Sequence, residues 1–458
     1  MPPLSAAELI EAACTVGPPE WRAALNSQGA NAFVVEPVYG GMSNLIFRLS
    51  LPLSALSSLV PSLPREMVSL VRLQQPACRR MMARVLSPQL DDVIDRTLEA
   101  RVVSWISEHP SRIGPRLYGS VSLQRPDGTC AAVRFEECIE GRTLVVDDLR
   151  HADSLLLSRI ARKTALLHAT PPPWANARDA FPDPLCKYLS CVRALADHPR
   201  MQMDEFASVA RLLRALPWDS EAAWLARHMA VSGGPTVLTH GDNQAGNWIQ
   251  ELDVDGDVVL IDYEYSRLDA RGFDLGNLLC EATFDYTVTE PPGYSFDSTA
   301  YPSLKWQIAF FRAYADAEAE ACNVGIGAST VGSDVPPIQA STAPSCCHNT
   351  CLAEGAGADT ISRSPSALAA LPPDLRKLAD EARLGVLASH LYWALWGAVM
   401  AAGKLGVRAG SDYGEHRGPA AAIATGHSVF DYAHYGAARA AEFLRLKERY
   451  ERSAVVAS

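Results

Sequence analysis

A short apolar run, Thr236, Val237 and Leu238, opens into a polar loop holding His240, Asp242, Gln244 and Asn247, with Asn247 five residues beyond Asp242. That spacing is the strongest constraint in the chain. A carboxylate at the first position can take the proton of an attacking hydroxyl, and an amide at the second can ligate a magnesium ion that bridges nucleotide phosphates. The chain must then return a further acidic ligand to the same place. Two β-like runs, Trp248 to Leu252 and Val258 to Ile261, flank Asp255-Gly256, a dipeptide that favours tight hairpins, so Asp262 is expected beside Asn247 at the end of the returning strand. Asp253, Asp255 and Asp257 in that turn imitate a calcium loop, but Val258 stands where such a loop needs glycine, which leaves a solvated hairpin turn.

Length and charge bound what can surround such a site. With 458 residues, 48% of them hydrophobic, the chain can build two lobes around a sizeable core. A formal net charge of −11 argues against a nucleic-acid binder, whose footprint is basic. Eleven cysteines without a repeated spacing do not form the framework of a small disulfide-bonded domain, and the opening MPPLSAAELIEAACTVG has no basic region, so a reducing, cytoplasmic setting is expected. One segment, Leu384 to Gly403, runs twenty residues without Asp, Glu, Lys or Arg. His390, Ser389 and Tyr392 lie inside it without a flanking basic bias, and it is read as a buried helix and not as an integral membrane span.

Along the chain, helical patterns at Ala6 to Ala13 and Glu20 to Leu25 precede a β pattern from Phe33, in which the runs FVVEPV and LIFRL enclose Gly40, Gly41, Met42, Ser43 and Asn44. MVSLVRL is a further β-like run carrying Arg72, and a helix is expected from Ile94 to Glu108. Gly114 to Val121 and Ala131 to Ile139 would complete a small antiparallel sheet. Helical candidates follow at Ser154 to His168, Cys186 to Ala196, Met203 to Leu216, Trp218 to Met229, Leu304 to Ala321, Pro372 to His390 and Ala437 to Arg452, with His168 read as structural or capping. From Cys322 to about Ala369 the composition collapses into Gly, Ser, Thr, Ala and Pro, which cannot bury enough apolar surface to offset ordering entropy, so a disordered insertion is expected. Cys346, Cys347, His348 and Cys351 inside it form one short cluster with no second half, so no zinc site is assigned.

The segments HGDNQAGN (His240 to Asn247) and IDYEYSRLDARGFDLGNLLCEATFDY (Ile261 to Tyr286) resemble the choline/ethanolamine kinases, relatives of the protein kinases and aminoglycoside phosphotransferases; GGMSN, SLVRL, GPRLYG, RFEECIEGR and SHLYWALWG extend the likeness over most of the chain. The resemblance implies an α+β, two-lobed protein-kinase-like fold: a β-rich lobe over 1–136, a hinge at 137–141, and a mainly helical lobe over 142–458 interrupted by the insertion at 322–369. It implies ATP and Mg²⁺ as cofactors and transfer of phosphate to choline, the first step of the CDP-choline route to phosphatidylcholine, with ethanolamine as the alternative acceptor. The partners are then small molecules, and a homodimer stays open.

Carried onto matching positions, the resemblance makes Asp242 the base and Asn247 and Asp262 the metal ligands. Gly40, Gly41, Ser43 and Asn44 become the loop that covers the nucleotide, and Arg72 and Gln244 phosphate contacts. Glu99 orients the basic residue, and Glu137 and Ile139 meet adenine. A quaternary ammonium donates no hydrogen bond and is best held by aromatic faces with nearby carboxylates. The implied pocket is Glu264, Tyr265, Glu281, Tyr286, Trp393, Trp396, Phe430, Tyr432 and Tyr435. Ala282 and Thr283 depart from the bulkier pair usual after the matching glutamate. A catalytically dead binding protein is the reading from another class, and the complete Asp242, Asn247, Asp262 set argues against it.

Overall fold

The computed structural model of the chain describes residues 4–38, 44–55, 79–87, 93–124, 128–174, 183–252, 256–323, 371–407 and 429–457. Gly40, Gly41, Ser43, Arg72, the Cys/His cluster and nearly all of the expected insertion lie outside the described residues.

Helix α1 (Ala6–Val16) starts where Ser5 and Glu8 cap one another reciprocally, and α2 (Pro19–Gln28) starts on a proline, which is pre-set for a first helical turn. Both pack on one face of an antiparallel sheet of β1 (Val34–Val38), β2 (Leu45–Ser50), β3 (Arg80–Val85), β4 (Leu117–Gln124) and β5 (Cys130–Glu137), in the order β1-β2-β3-β5-β4. Alternation decides what each strand offers to each side. Met81, Ala83 and Val85 of β3 and Ala131, Val133 and Phe135 of β5 enter the apolar core with Leu9, Ile10 and Trp21. Arg84, Arg134 and Glu136 take the opposite face, where α3 (Arg96–Ser107) adds Glu99, and all four are buried.

Here the structure adds what the sequence reading missed. The strand between β2 and β5 is RMMARV, paired Ile46↔Arg84 and Arg84↔Arg134. Its arginines give it the texture of a surface segment, whereas MVSLVRL has a cleaner apolar pattern; ion pairing is what lets β3 be buried.

Between Glu137 and Gly141 the chain leaves this sheet and enters β6 (Gly141–Thr143), which pairs with β8 (Trp248–Glu251), itself paired with β9 (Val258–Leu260). Helices α4 (Val146–Arg150), α5 (Ser154–Ala169), α6 (Asp183–Ala196), α7 (Ala207–Leu213) and α8 (Trp218–Ser232) lead to β7 (Thr236–Thr239), which pairs with β10 (Arg267–Ala270). Then come α9 (Arg271–Glu281), the short pair β11 (Phe284–Asp285) and β12 (Ser295–Phe296), α10 (Leu304–Asn323), α11 (Pro373–Lys404) and α12 (Tyr432–Ala457).

The two helical patterns expected around His390 are one 32-residue helix, α11. It crosses α9 at backbone contact: a Cβ on Gly385 would lie 1.6 Å from the Gly272 carbonyl oxygen, and one on Gly276 would lie 2.2 Å from the Gly385 carbonyl carbon. No side chain fits at either place, which is what lets α11 present its aromatic residues so close to the end of α9. By length and composition α11 could cross a membrane, but 89% of its most apolar window is buried inside the protein.

Candidate active site

The loop after β7 is clasped at both ends. Asp274, in the first turn of α9, accepts hydrogen bonds from the backbone N–H groups of His240 (2.6 Å) and Gly241 (2.9 Å), and its Oδ2 meets His168 Nε2 at 3.2 Å. Burial acts to raise the Asp274 carboxyl, but His168 outweighs it and holds the group below its ordinary value. His240 Nδ1 accepts from the Asp242 N–H at 3.3 Å, so Nε2 is the nitrogen that donates to the Ile261 carbonyl at 2.9 Å. Burial lowers the His240 pKa, and the neutral ring ties the loop to the end of β9. Gly241 has φ 84°, and a Cβ there would stand 2.2 Å from the Tyr265 carbonyl oxygen, so only glycine serves.

Asp242 is half-buried, and its Oδ2 accepts from Asn247 Nδ2 at 2.8 Å and Gln244 Nε2 at 3.2 Å. Burial, followed by the charge of Glu281, pushes its carboxyl up to about 7 against the pull of those two amides. The hairpin β8–β9 returns Ile261, whose N–H donates to the Asn247 carbonyl at 2.8 Å, and this carries Asp262 to the loop. Asp262 has φ 71°, a left-handed conformation that costs a non-glycine residue about 1–3 kcal/mol and gathers at functional sites. Its Oδ2 lies 3.0 Å from Arg84 Nη1, while its Oδ1 is buried with no hydrogen-bond partner. Burial works to raise this carboxyl too, but Arg84 holds it below the usual carboxylate range.

Among the described residues Arg84 is the arginine paired with Asp262, and sequence reasoning passed over it. It also meets Glu136 at 3.3 Å; Arg134 meets Glu136 and Glu99, each at 2.6 Å; and Arg96 meets Glu99 at 2.7 Å. Glu99 thus bears on Arg84 through Arg134 and Glu136. Asn44 and Glu264 are placed together at the junction of the lobes: Asn44 Nδ2 donates to Glu264 Oε2 at 3.1 Å, and the Ser87 N–H donates to Asn44 Oδ1 at 3.3 Å. Arg96 lies 3.8 Å from Glu264, whose charge also acts on the neighbouring Tyr265. At the hinge the Glu137 N–H donates to the Arg116 carbonyl and its carboxylate pairs with Arg112, with half-buried Ile139 beyond.

The aromatic residues do come together. Trp393 and Trp396, one turn apart on α11, cross edge to face at 5.3 Å; Tyr265 packs at 5.2 Å on Trp393 and accepts from Trp396 Nε1 at 3.0 Å. Tyr432 and Tyr435 of α12 stand 5.4 and 6.0 Å from Trp396, Phe430 lies 5.4 Å from Tyr435, and Tyr286 lies 6.2 Å from Tyr435. Trp393 Nε1 is buried without a hydrogen-bond partner. Ala282 is fully buried and the Thr283 hydroxyl donates to the Cys280 carbonyl. Glu281 at its inner end is paired with Arg439, which was also missed, although it lies one helical turn beyond Tyr435. A cleft of about 380 Å³ runs from Val38 and Ile46 of the sheet past Arg84, Asp262, Asn247 and Gln244 to Glu281, Tyr286 and Phe430.

A β-sheet lobe set against a helical lobe, with a clasped Asp/Asn loop and a hairpin-borne Asp between them, defines a protein-kinase-like fold. Choline kinase from Cryptosporidium parvum Iowa II has this fold, with a TM-score of 0.59 at 15% identity over 98% of both chains, as has Plasmodium vivax ethanolamine kinase, at 0.56 and 14% over 93% of this chain and 87% of that one. The chain belongs to the choline/ethanolamine kinase family, whose model matches residues 35–444. It is 31% identical to a rat choline/ethanolamine kinase over 280 residues, 61% of this chain and 62% of the rat protein, and 28% identical to a human choline/ethanolamine kinase over 373 residues, 80% of this chain and 74% of the human one.

Proposed function

We propose that the chain transfers the γ-phosphoryl group of ATP to the hydroxyl of choline, with ethanolamine as the alternative acceptor. One observation carries this reading: a single cleft runs from Asp262 and Asn247, the partner of Asp242, to Glu281, Tyr286 and Phe430, and those two rings pack on Tyr435 of the aromatic box. Asp242 is the base. A carboxyl near 7 is matched to taking a proton at neutral pH, and the amides of Asn247 and Gln244 aim it. The unpartnered Asp262 Oδ1 and the oxygen of the Asn247 carboxamide suit a hard divalent cation and would hold Mg²⁺. When bound, Mg²⁺ supplies neutralising charge to the phosphates.

Arg84, anchored by Asp262 and Glu136, aims its guanidinium at the same phosphates, and Gln244 stands beside them. Glu137 and Ile139 meet the adenine through their backbone. Tyr265, Trp393, Trp396, Tyr432, Tyr435, Phe430 and Tyr286 receive the ammonium by cation–π contact. The burial of α11 supports reading it as a core helix, and a cytoplasmic setting belongs to the same proposal.

Substituting Trp396→Ala tests the box. Choline kcat/KM should fall by an amount equivalent to about 1–2 kcal/mol, the scale of a desolvated cation–π contact, and that for ethanolamine by less. Equal losses for both acceptors in a folded variant would contradict the role given to Trp396.

A further inference from the structure

The polar rim of the aromatic box is consumed from within. Glu281 Oε1 takes Arg439 Nη2 and, at 3.4 Å, Asn277 Nδ2; Glu281 Oε2 takes the Tyr286 hydroxyl at 2.8 Å. Arg439 Nη2 also reaches the Tyr286 oxygen at 3.1 Å, and Arg439 Nε donates to the Tyr435 hydroxyl at 2.9 Å. The two phenols meet each other at 3.2 Å. The guanidinium lies 3.8 Å over the Phe284 ring, and the Arg439 side chain is 0% exposed. Within its own box the chain already binds a cation.

Two consequences follow from chemistry. The Glu281–Arg439 pair is neutral as a unit, so the carboxylate's charge is largely spent before a substrate arrives. The acceptor oxygens of Glu281, Tyr286 and Tyr435 are likewise engaged, so what Tyr286 and Tyr435 have left to offer is their ring faces. A trimethylammonium needs no acceptor and loses nothing here, whereas a primary ammonium carries three N–H donors that must be satisfied when desolvated. Discrimination of this kind comes from what is withheld from the wrong ligand as much as from what is given to the right one.

We propose that Arg439 is a specificity-determining positioning residue: by occupying Glu281, Tyr286 and Tyr435 it turns an acidic aromatic pocket into a neutral one that favours quaternary over primary ammonium. The proposal rests on the reading of this box as the amine site. Its test is titration of the full chain with choline and with ethanolamine, without ATP, followed by the fluorescence of its tryptophans. In Arg439→Gln, which releases the carboxylate, the ratio of ethanolamine to choline affinity should rise by about tenfold, the scale of one hydrogen bond to a charged group. Arg439→Lys, which keeps the charge, should leave the ratio nearer wild type. A proportional change for both amines would mark Arg439 as merely structural and overturn the proposal.

A lone buried carboxylate can unfold a protein, so a second comparison avoids it. Glu281→Gln leaves Arg439 as an unpaired cation and should weaken choline binding, and adding Arg439→Gln to it should restore that binding by at least about tenfold, because a like charge is removed. A double variant no better than Glu281→Gln would mean that Glu281 itself holds the substrate cation, and Arg439 would lose its assigned role. Failure of phosphate transfer to choline would count against the proposed function, while these binding ratios would still judge Arg439. A wild-type chain responding to neither amine would overturn both.

Discussion

Asp242→Asn is expected to lower kcat for choline by at least about 100-fold, the usual worth of a positioned base. Asparagine keeps an oxygen where Asn247 and Gln244 donate, so the loop should hold its shape. The stability change has a definite sign. A carboxyl whose folded pKa is about 7, against an ordinary value of 3.8, is neutral in the fold at acid pH, and it destabilises the fold progressively as pH rises between those values. A neutral amide lacks that penalty, so at pH 8 the variant should melt no lower than wild type. Loss of turnover with undiminished Tm identifies a group kept for chemistry at a cost to stability. A variant retaining more than about a tenth of the wild-type rate would exclude Asp242 as the base.

Arg84 carries the second large effect. Arg84→Gln takes from Asp262 its arginine partner while Glu136 keeps Arg134, and breaking a buried pair in this way costs about 3–5 kcal/mol, so Tm should fall. Turnover should fall as well, by about 100-fold or more, the scale for removing one preorganised donor from a site of developing charge. Arg84→Lys separates the two effects. It keeps the positive charge, but a single ammonium cannot span both carboxylates and a phosphate, so a folded protein with a raised KM for ATP is expected. Arg72→Gln provides the contrast, Arg72 being the phosphate contact expected from the sequence and lying outside the described residues. A fully active Arg84→Lys together with an inactive Arg72→Gln would return the phosphate contact to Arg72.

These two residues mark where the sequence could and could not be read. The loop and hairpin that unite Asp242, Asn247 and Asp262 are local in sequence: a fixed spacing, a turn dipeptide and two short strands bring them together, and hydrogen bonds between Ile261 and Asn247 and between His240 and Ile261 fasten the result. Trp393 and Trp396 were named by the resemblance alone, since two tryptophans one turn apart on an apolar helix would otherwise read as core. Arg84, Arg134 and Arg439 were not legible. An arginine in sequence reads as surface, and each of these is buried only because a carboxylate distant in the chain meets it: Glu136 and Asp262 for Arg84, Glu99 and Glu136 for Arg134, Glu281 for Arg439. The resemblance named Glu264 and Tyr265 together, and the short helical turn through Tyr263 and Tyr265 sets Tyr265 against Trp393 and Glu264 against Asn44 and Arg96.

The central claim is that one cleft couples phosphate transfer to recognition of an amino alcohol by aromatic faces. The most direct test is steady-state phosphate transfer from ATP by the wild-type chain to choline and to ethanolamine, measured side by side with Mg²⁺ present. The account predicts turnover of choline with the higher kcat/KM, the difference lying mainly in KM because the box binds the ammonium and the Asp242 loop serves both hydroxyls alike. Transfer to neither acceptor, or a kcat/KM that favours ethanolamine, would contradict it.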